Sequence, residues 1–207
     1  MAIRYYDEAL TAKLERWLKR PLQNGTLKIL RPEETTRFFE MTLDERKDKP
    51  LALPLIALSR DKDIEILNTN KQSKTFSGFT LDPEETSFHQ INVVPIQLGY
   101  QLDIYTQRVA EADEYIRNFV FNFINYPQLE IVLPYDNLNI KHVANIHLQA
   151  NISDNSDIKE HLFADEFVRF TLRIIIDDAY LFSLPERMYA EGVDLVDLQT
   201  EKQGDLS

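Results

Sequence analysis

The chain has 207 residues, of which 43% are hydrophobic, so it is long and apolar enough to bury a core without covalent cross-links. It contains no cysteine, which excludes disulfides, thiol nucleophiles and thiolate metal sites and is typical of a reducing compartment. The net charge of −11 argues against a surface that binds duplex nucleic acid, because such binding depends on Lys and Arg contacts to phosphate. No apolar run reaches the roughly 18 residues of a membrane span, and the start of the chain lacks the apolar region of a secretory signal. We therefore expect a soluble protein without a membrane segment.

Residues 5–19 are predicted to form an amphipathic helix that belongs to an N-terminal segment, 1–24. Its apolar residues recur at helical spacing and share one face, and Pro21 and Asn24-Gly25 end it. These apolar residues are Tyr6, Leu10, Leu14, Trp17 and Leu18. The helix is free to pack on the rest of the chain or on a neighbouring subunit, and the pattern does not choose between them.

Short elements are predicted next, at the start of a single α+β domain that we place at 25–184. Thr26–Leu30 has the composition of a short strand, and Pro32 with two following glutamates resembles the first turn of a helix. Pro54 interrupts the apolar run 51–58 and confines any strand there to an edge or a strand end. A further short strand is expected at Ile64–Leu67.

Residues 68–90 are the least regular part of the predicted domain. A polar tract runs from Asn68 to Lys74 and is followed by Gly78 and by Asp82-Pro83. Long segments of this kind in a compact domain are usually functional or mobile. We expect an extended arm or a hairpin, with exposure without a role as the open alternative.

The stretch 92–134 predicts a strand, a helix and a returning strand. Apolar residues alternate from Ile96 to Ile104, which indicates a strand with one buried face. They then recur every three or four residues over 108–125, which indicates a helix that Pro127 stops. Alternation returns at 129–133.

Two more long strands are predicted at 140–152 and 167–177, where apolar and polar residues again alternate. We expect them to join the strand at 96–105 in one sheet, with helix 108–125 laid across its apolar face. The predicted fold class is therefore α+β, with two layers and a mixed, mostly antiparallel sheet. From 185 to 207 the pattern fades into an acidic C-terminal tail.

Catalytic, cofactor and metal sites are not predicted. The five glycines form no phosphate-binding loop. His142 and His147 lie an odd number of residues apart in one predicted strand, so they fall on opposite faces and do not share a metal. Asp177-Asp178 follows the predicted strand end and is better explained by a turn than by acid–base chemistry. We therefore expect a protein that is not an enzyme.

Charged residues beside the predicted strands are candidates for a subunit interface. Arg60 is flanked by Asp61 and Asp63, and either forms a local ion pair or anchors an interface. Arg169 and Arg173 share one face of the last strand and either meet acids of a neighbour or pair within the chain. The arm adds Lys71, Lys74, Phe76 and Phe79 to these interface candidates.

The order of elements and a few phrases resemble those of the tail terminator, or tail completion, proteins of tailed bacteriophages. A proline is followed by an alternating strand that ends in Tyr105-Thr106, and an acidic helix follows that ends in Phe123-Ile124-Asn125-Tyr126-Pro127. The segment 54–60 and the strand 167–177 are also similar to such tail proteins. The resemblance covers roughly residues 50–182.

This resemblance implies a structural virion protein with a tail-terminator-like fold, which assembles in the host cytoplasm into a ring, usually of six copies. The ring caps the tail tube, contacts the tail tube protein and the head–tail connector and, in contractile tails, the sheath. An acidic channel would let DNA pass without binding. Two alternatives stay open, a neck or baseplate adaptor of the virion and a small ligand-binding or enzymatic domain.

Overall fold

The computed structural model describes residues 3–18, 29–40, 53–67, 74–81, 86–135, 138–157 and 167–182, with the backbone alone for 74–81, 86–92, 133–135, 138–140 and 182. The elements follow one another along the chain as three helices and eight strands within these residues. The helices are α1 (Ile3–Trp17), α2 (Pro32–Glu40) and α3 (Val109–Asn125). The strands are β1 (Ile29–Leu30), β2 (Leu55–Arg60), β3 (Glu65–Ile66), β4 (Lys74–Leu81), β5 (Thr86–Thr106), β6 (Gln128–Tyr135), β7 (Leu138–Asp154) and β8 (Val168–Phe182).

All of these strands belong to one mixed sheet. Its main order is β1-β2-β5-β8-β7-β6, and β3 and β4 pair with the first half of β5. Only the β1–β2 pair is parallel among the described strands, and the other pairs are antiparallel. The predicted α+β class is therefore confirmed.

One face of the sheet carries the main core and is covered by α1 and α3. Alternate residues of β5 from Ile96 to Ile104 are completely or almost completely buried on this face, together with Leu172, Ile174 and Ile176 of β8. Tyr6, Leu10 and Leu14 of α1 and Phe119 of α3 pack against them and are fully buried. Helix α1 thus belongs to the same core as the sheet, which decides between the two positions that the sequence left open.

Within the described part of the chain, the opposite face is covered only at one corner. Here α2 lies on β1 and β2, and a second, smaller core forms from residues of both layers. Its buried members alternate with those of the main core, because neighbouring strand residues point to opposite faces. They are Leu30, Leu55, Ala57 and Tyr105, and Phe38, Leu53 and Phe167 pack against them.

Strands β5 and β8 are longer than the sequence pattern predicts. β5 begins at Thr86, inside the segment predicted as an arm or hairpin, and forms an antiparallel hairpin there with β4. β8 continues to Phe182, so the turn predicted at Asp177-Asp178 is wrong. The two aspartates form a β-bulge instead, because both of them oppose the single residue Gln97 of β5.

Several predictions fall outside the described residues. These are Lys71, the polar tract before Lys74 and the acidic tail at 185–207. Lys74, Phe76 and Phe79 are described only as backbone positions of β4, where Phe76 pairs with Ile91 and Phe79 with Phe88.

The packing of α1 predicts the effect of shortening Leu10. Leu10→Ala is expected to lower the free energy of unfolding by about 2–5 kcal/mol, because it opens a cavity in the shared core. Glu15→Ala on the exposed face of the same helix is the matched control, with an expected change below about 0.5 kcal/mol. Urea unfolding of both variants measures this difference. Equal stability of the two would mean that α1 is an appendage and not part of the core.

Candidate functional surface: the polar face of the sheet

The face of the sheet opposite α1 and α3 is polar over β5, β8 and β7. Its side chains come from the positions that alternate with the core, so the same alternation that buries Ile104 and Leu172 places charged residues here. Within the described residues they form ion pairs and hydrogen bonds with one another across the strands. The members are Gln97, Gln101, Asp103, Asn145, His147, Arg169, Thr171, Arg173 and Asp177, and Asp61 joins them from the segment after β2.

Asp103 is the most deeply buried charge on this face, with 3% of its surface exposed. Its Oδ1 accepts hydrogen bonds from Arg169 at 3.3 Å and from the Thr171 hydroxyl at 2.6 Å, and its Oδ2 accepts one from the Gln101 amide at 2.8 Å. The Arg169 guanidinium also lies over the Tyr105 ring, 5.4 Å from its centre. A buried carboxylate is tolerated only when it is paired and hydrogen-bonded in this way.

Asp61 and Arg173 form a second, more open pair on the same face. Arg173 Nη1 lies 3.6 Å from Asp61 Oδ2, and both side chains are more than one third exposed. The Asp61 backbone N–H also donates to the Gly99 carbonyl at 2.9 Å. Gly99 leaves the space for this approach, because a Cβ at that position would collide with the Asp61 carboxylate.

The bulge in β8 adds a third polar group. Asp178 has a φ of 57°, in the left-handed region that aspartate tolerates better than most residues. Its neighbour Asp177 accepts a hydrogen bond from the Gln97 amide at 2.6 Å and lies 3.2 Å from Nδ1 of His147. The bulge therefore turns two carboxylates of one strand toward side chains of both neighbouring strands.

Side chains of the helix-covered face satisfy the backbone groups that the bulge displaces. His142 Nε2 lies 2.8 Å from the Asp178 carbonyl, and the Tyr180 N–H donates to the Tyr6 hydroxyl at 2.7 Å. The His142 ring also contacts the rings of Tyr6 and Tyr180. Burial raises the pKa of Tyr6 to about 12, and burial lowers the pKa of His142, so both groups are neutral at pH 7.

Arg60 lies on the helix-covered face and pairs with α1. Its guanidinium is 2.5 Å from Asp7 Oδ2, and the Tyr100 hydroxyl donates to Asp7 Oδ1 at 2.8 Å. Burial raises the pKa of Asp7, while the hydrogen bond from Tyr100 and the charge of Arg60 act in the opposite direction. The pKa of the Tyr100 hydroxyl is also raised, by burial first and by Asp7 second. This cluster fixes α1 to the sheet.

The predicted interface residues therefore separate into two groups. Asp61, Arg169 and Arg173 meet on the polar face and form pairs within the chain, whereas Arg60 is on the other side of the sheet. Arg60 has neither of the local partners that the sequence offered, since Asp61 pairs with Arg173 and Asp63 lies exposed. Within the chain, Arg169 pairs with Asp103 and Arg173 with Asp61.

Two buried acids that join distant elements of the fold were missed at the level of sequence. Asp7 gives a usable signal, because it lies three residues before Leu10 and seven before Leu14 and so shares the apolar face of α1. A carboxylate on such a face implies a buried cationic partner. Asp103 gives no signal, since it occupies a position of β5 at which an exposed polar residue is expected.

Within the described residues, no cluster of three or more histidine, aspartate and glutamate side chains is arranged to hold a metal ion. None of the described helices has the length and hydrophobicity needed to cross a bilayer. The chain matches no protein-family model and no curated protein.

The two arginines of the polar face are expected to differ sharply in their effect on stability. Arg169→Ala leaves the buried Asp103 carboxylate without its charge partner and should cost about 3–5 kcal/mol of unfolding free energy. Arg173→Ala, on the same strand and face, removes an exposed pair and should cost less than about 1 kcal/mol. Chemical denaturation monitored by the single tryptophan measures both. Similar losses in the two variants would contradict this ranking.

The environment of His142 predicts how stability depends on pH. Its pKa in the folded protein lies below the ordinary value of 6.5, so the unfolded chain binds a proton more readily. The contribution of His142 to stability is complete above pH 6.5 and is lost as the pH falls through its folded-state pKa. A ¹H–¹³C NMR titration of the imidazole, combined with unfolding of His142→Gln at pH 8 and pH 5, measures this effect. The stability advantage of the wild type over His142→Gln should be smaller at pH 5 than at pH 8. A measured pKa of 6.5 or above for His142 in the folded protein would contradict this prediction.

Proposed function

We propose that the chain is a structural virion protein whose copies form a closed ring, in the manner of tail terminator proteins of tailed bacteriophages. The ring caps the tail tube and joins it to the head connector. The observation that supports assembly most directly is the β4–β5 hairpin, which extends past the end of the main sheet. The position in the virion rests on the resemblance of residues 93–106 and 123–127 to tail terminator proteins.

The hairpin extends beyond the strand that flanks β5. Val93 pairs with Phe182, the last residue of β8, whereas Thr86–Asn92 pair only with β4 among the described strands. Seven residues of antiparallel strand span roughly 24 Å. A two-stranded hairpin of this kind is marginally stable alone in water. We therefore propose that the hairpin packs on a neighbouring copy.

A contact between the hairpin of one copy and another part of the next copy is heterologous, because the two surfaces differ. Heterologous contacts produce either a closed ring or an open filament, according to the rotation between neighbours. A protein that ends a tube requires the closed form. The polar face fits this arrangement, since its arginines Arg169 and Arg173 already pair with Asp103 and Asp61 within the subunit.

The charge of the chain is compatible with passage of DNA. With a net charge of −11, a ring of many copies creates a negative potential around its channel. A phosphate backbone is repelled by such a surface and moves through it without specific binding. The proposed partners are accordingly proteins, namely further copies of the chain, the tail tube protein and the connector, with the sheath protein in a contractile tail.

The proposal is tested by electron microscopy and light scattering of the purified protein, and by imaging of the particle that contains it. We expect rings of a single subunit number with an axial channel, at the end of the tail nearest the head. A monomer at high protein concentration, combined with a particle that has no such ring, would overturn the proposal.

The role of the hairpin is tested by shortening it. Replacement of residues 76–91 by Asn-Gly keeps the Thr75–Asn92 pair and closes it with a two-residue turn. Assembly should be lost, while the thermal transition of the subunit shifts by only a few degrees, because the removed segments of β4 and β5 pair only with each other among the described strands. Ile66→Ser, an exposed residue of β3, is the control and should assemble normally. Rings that form equally well without the hairpin would contradict its role.

A further inference from the structure

A groove of about 700 Å³ lies between the second half of α1 and β6, the last strand in the main order of the sheet. It extends from the helix to the end of α3 and across β6 to β7. Three of its apolar lining residues, Tyr126, Val132 and Val143, are 59%, 44% and 52% exposed. The groove therefore offers apolar surface that a docked segment can bury.

Two cations of α1 line the same groove. Lys13 is half-buried and donates to the Gln128 carbonyl at 2.6 Å, and Arg16 is exposed. Neither of them forms an ion pair within the described part of the chain. Burial lowers the pKa of Lys13, and the charge of Arg16 lowers it further. The acidic lining residue Glu130 lies 3.6 Å from Lys141, so the lining keeps an excess of positive charge.

The C-terminal residues of the chain have the complementary chemistry. Residues 183–207 contain six acidic residues and two basic ones. Their most apolar stretch, 193–198, has the sequence Val-Asp-Leu-Val-Asp-Leu, so two carboxylates lie among four aliphatic side chains. A mixture of acids and aliphatic residues matches a groove that combines unpaired cations with exposed valines.

The place where β8 ends brings this segment near the groove. β8 is separated from β6 by β7 alone, so the two strands are about 10 Å apart. Phe182 lies at the end of the sheet where β6 also ends, at Tyr135, because β8 and β6 are both antiparallel to β7. Val132 is three residues, or about 10 Å, from that end. Residues 183–192 span up to about 33 Å, so 193–198 can reach the groove of the same chain.

We propose that residues 193–198 dock in this groove of their own chain, independently of the function proposed above. The two aspartates pair with the two cations of α1, and the aliphatic side chains cover the exposed valines of β6 and β7. A segment on so short a tether has an effective concentration in the millimolar range, so modest contacts are sufficient to hold it. Docking also shields the outer edge of β6, which pairs with β7 alone among the described strands.

The test places a nitroxide label beside the segment in the full chain. The chain has no cysteine, so Thr200→Cys provides a single attachment site. We expect the label to reduce the methyl NMR signals of Val132 and Val143 at least twofold. Val109 is the control, because it is also an exposed valine and lies at the other end of α3, about 24 Å from Asn125. Unchanged signals of the two groove valines, or equal losses at all three valines, would overturn the proposal.

Charge variants of the segment test the ion pairs. Asp194→Asn combined with Asp197→Asn should restore at least half of the lost signal. Glu201→Gln combined with Asp205→Asn removes the same charge outside the apolar stretch and should leave the loss unchanged. Equal effects of the two double variants would show that the proposed ion pairs are wrong.

The cation side of the groove is tested by Arg16→Glu, which should also restore the signals. Arg37→Glu is the matched control, since Arg37 of α2 is exposed and has no ion pair among the described residues. Both positions are exposed, so both variants are expected to fold, and circular dichroism checks this. Equal effects of these two variants would likewise contradict the pairing.

A mixed sample distinguishes docking within one chain from docking between copies. Isotope-labelled chain without the cysteine is mixed with nitroxide-labelled chain that carries no isotope. The signals of Val132 and Val143 should keep their intensity in this sample. Their loss would show that the segment of another copy is the occupant and would overturn the proposal.

Discussion

The backbone pairing of β5 is the constraint on which the rest of the fold depends. This strand of 21 residues forms hydrogen bonds with β2, β3, β4 and β8, so its register determines which residue of each neighbour lies on which face. Because side chains alternate along a strand, a shift by one residue would move Ile104 out of the core and Asp103 into it. The apolar set of β5 and the helices α1 and α3 that cover it hold the strand in one register.

Among the described strand pairs of β5, the bulge in β8 is the one departure from regular pairing. It leaves the Asp178 carbonyl and the Tyr180 N–H outside the ladder, and buried backbone groups of this kind need partners. His142 of β7 and Tyr6 of α1 provide them. Helix α1 thus contributes a specific hydrogen bond to the sheet as well as buried apolar surface. Both contributions make α1 part of the same folded unit as the strands. On the opposite face, the same bulge brings Asp177 to Gln97 and His147.

The surface divides into parts with different physical properties. On the polar face, Arg169 and Arg173 are paired within the chain, and the deeper pair, Asp103 with Arg169, is nearly closed to solvent. Exposed apolar residues are distributed over several elements, among them Phe39 of α2, Ile66 of β3, Ile124 of α3, Val132 of β6 and Val143 of β7. A polar surface whose arginines are already paired is compatible with contacts between copies of the chain, as the proposed ring requires.

The alternation of apolar residues in β5, β7 and β8, and the 3.6-residue period of α1 and α3, were sufficient to predict the long elements and the α+β class. These periods are local properties of the chain, because a strand or helix that buries one face repeats its apolar residues at the period of its own geometry. The ends of β5 and β8, the bulge at Asp178 and the partners of Arg60, Arg169 and Asp61 were decided only by the tertiary structure. Each of these depends on which residues of distant segments meet. Asp7 and Arg60 are separated by 53 positions, and Asp103 and Arg169 by 66, so no local pattern distinguishes them from ordinary exposed charges.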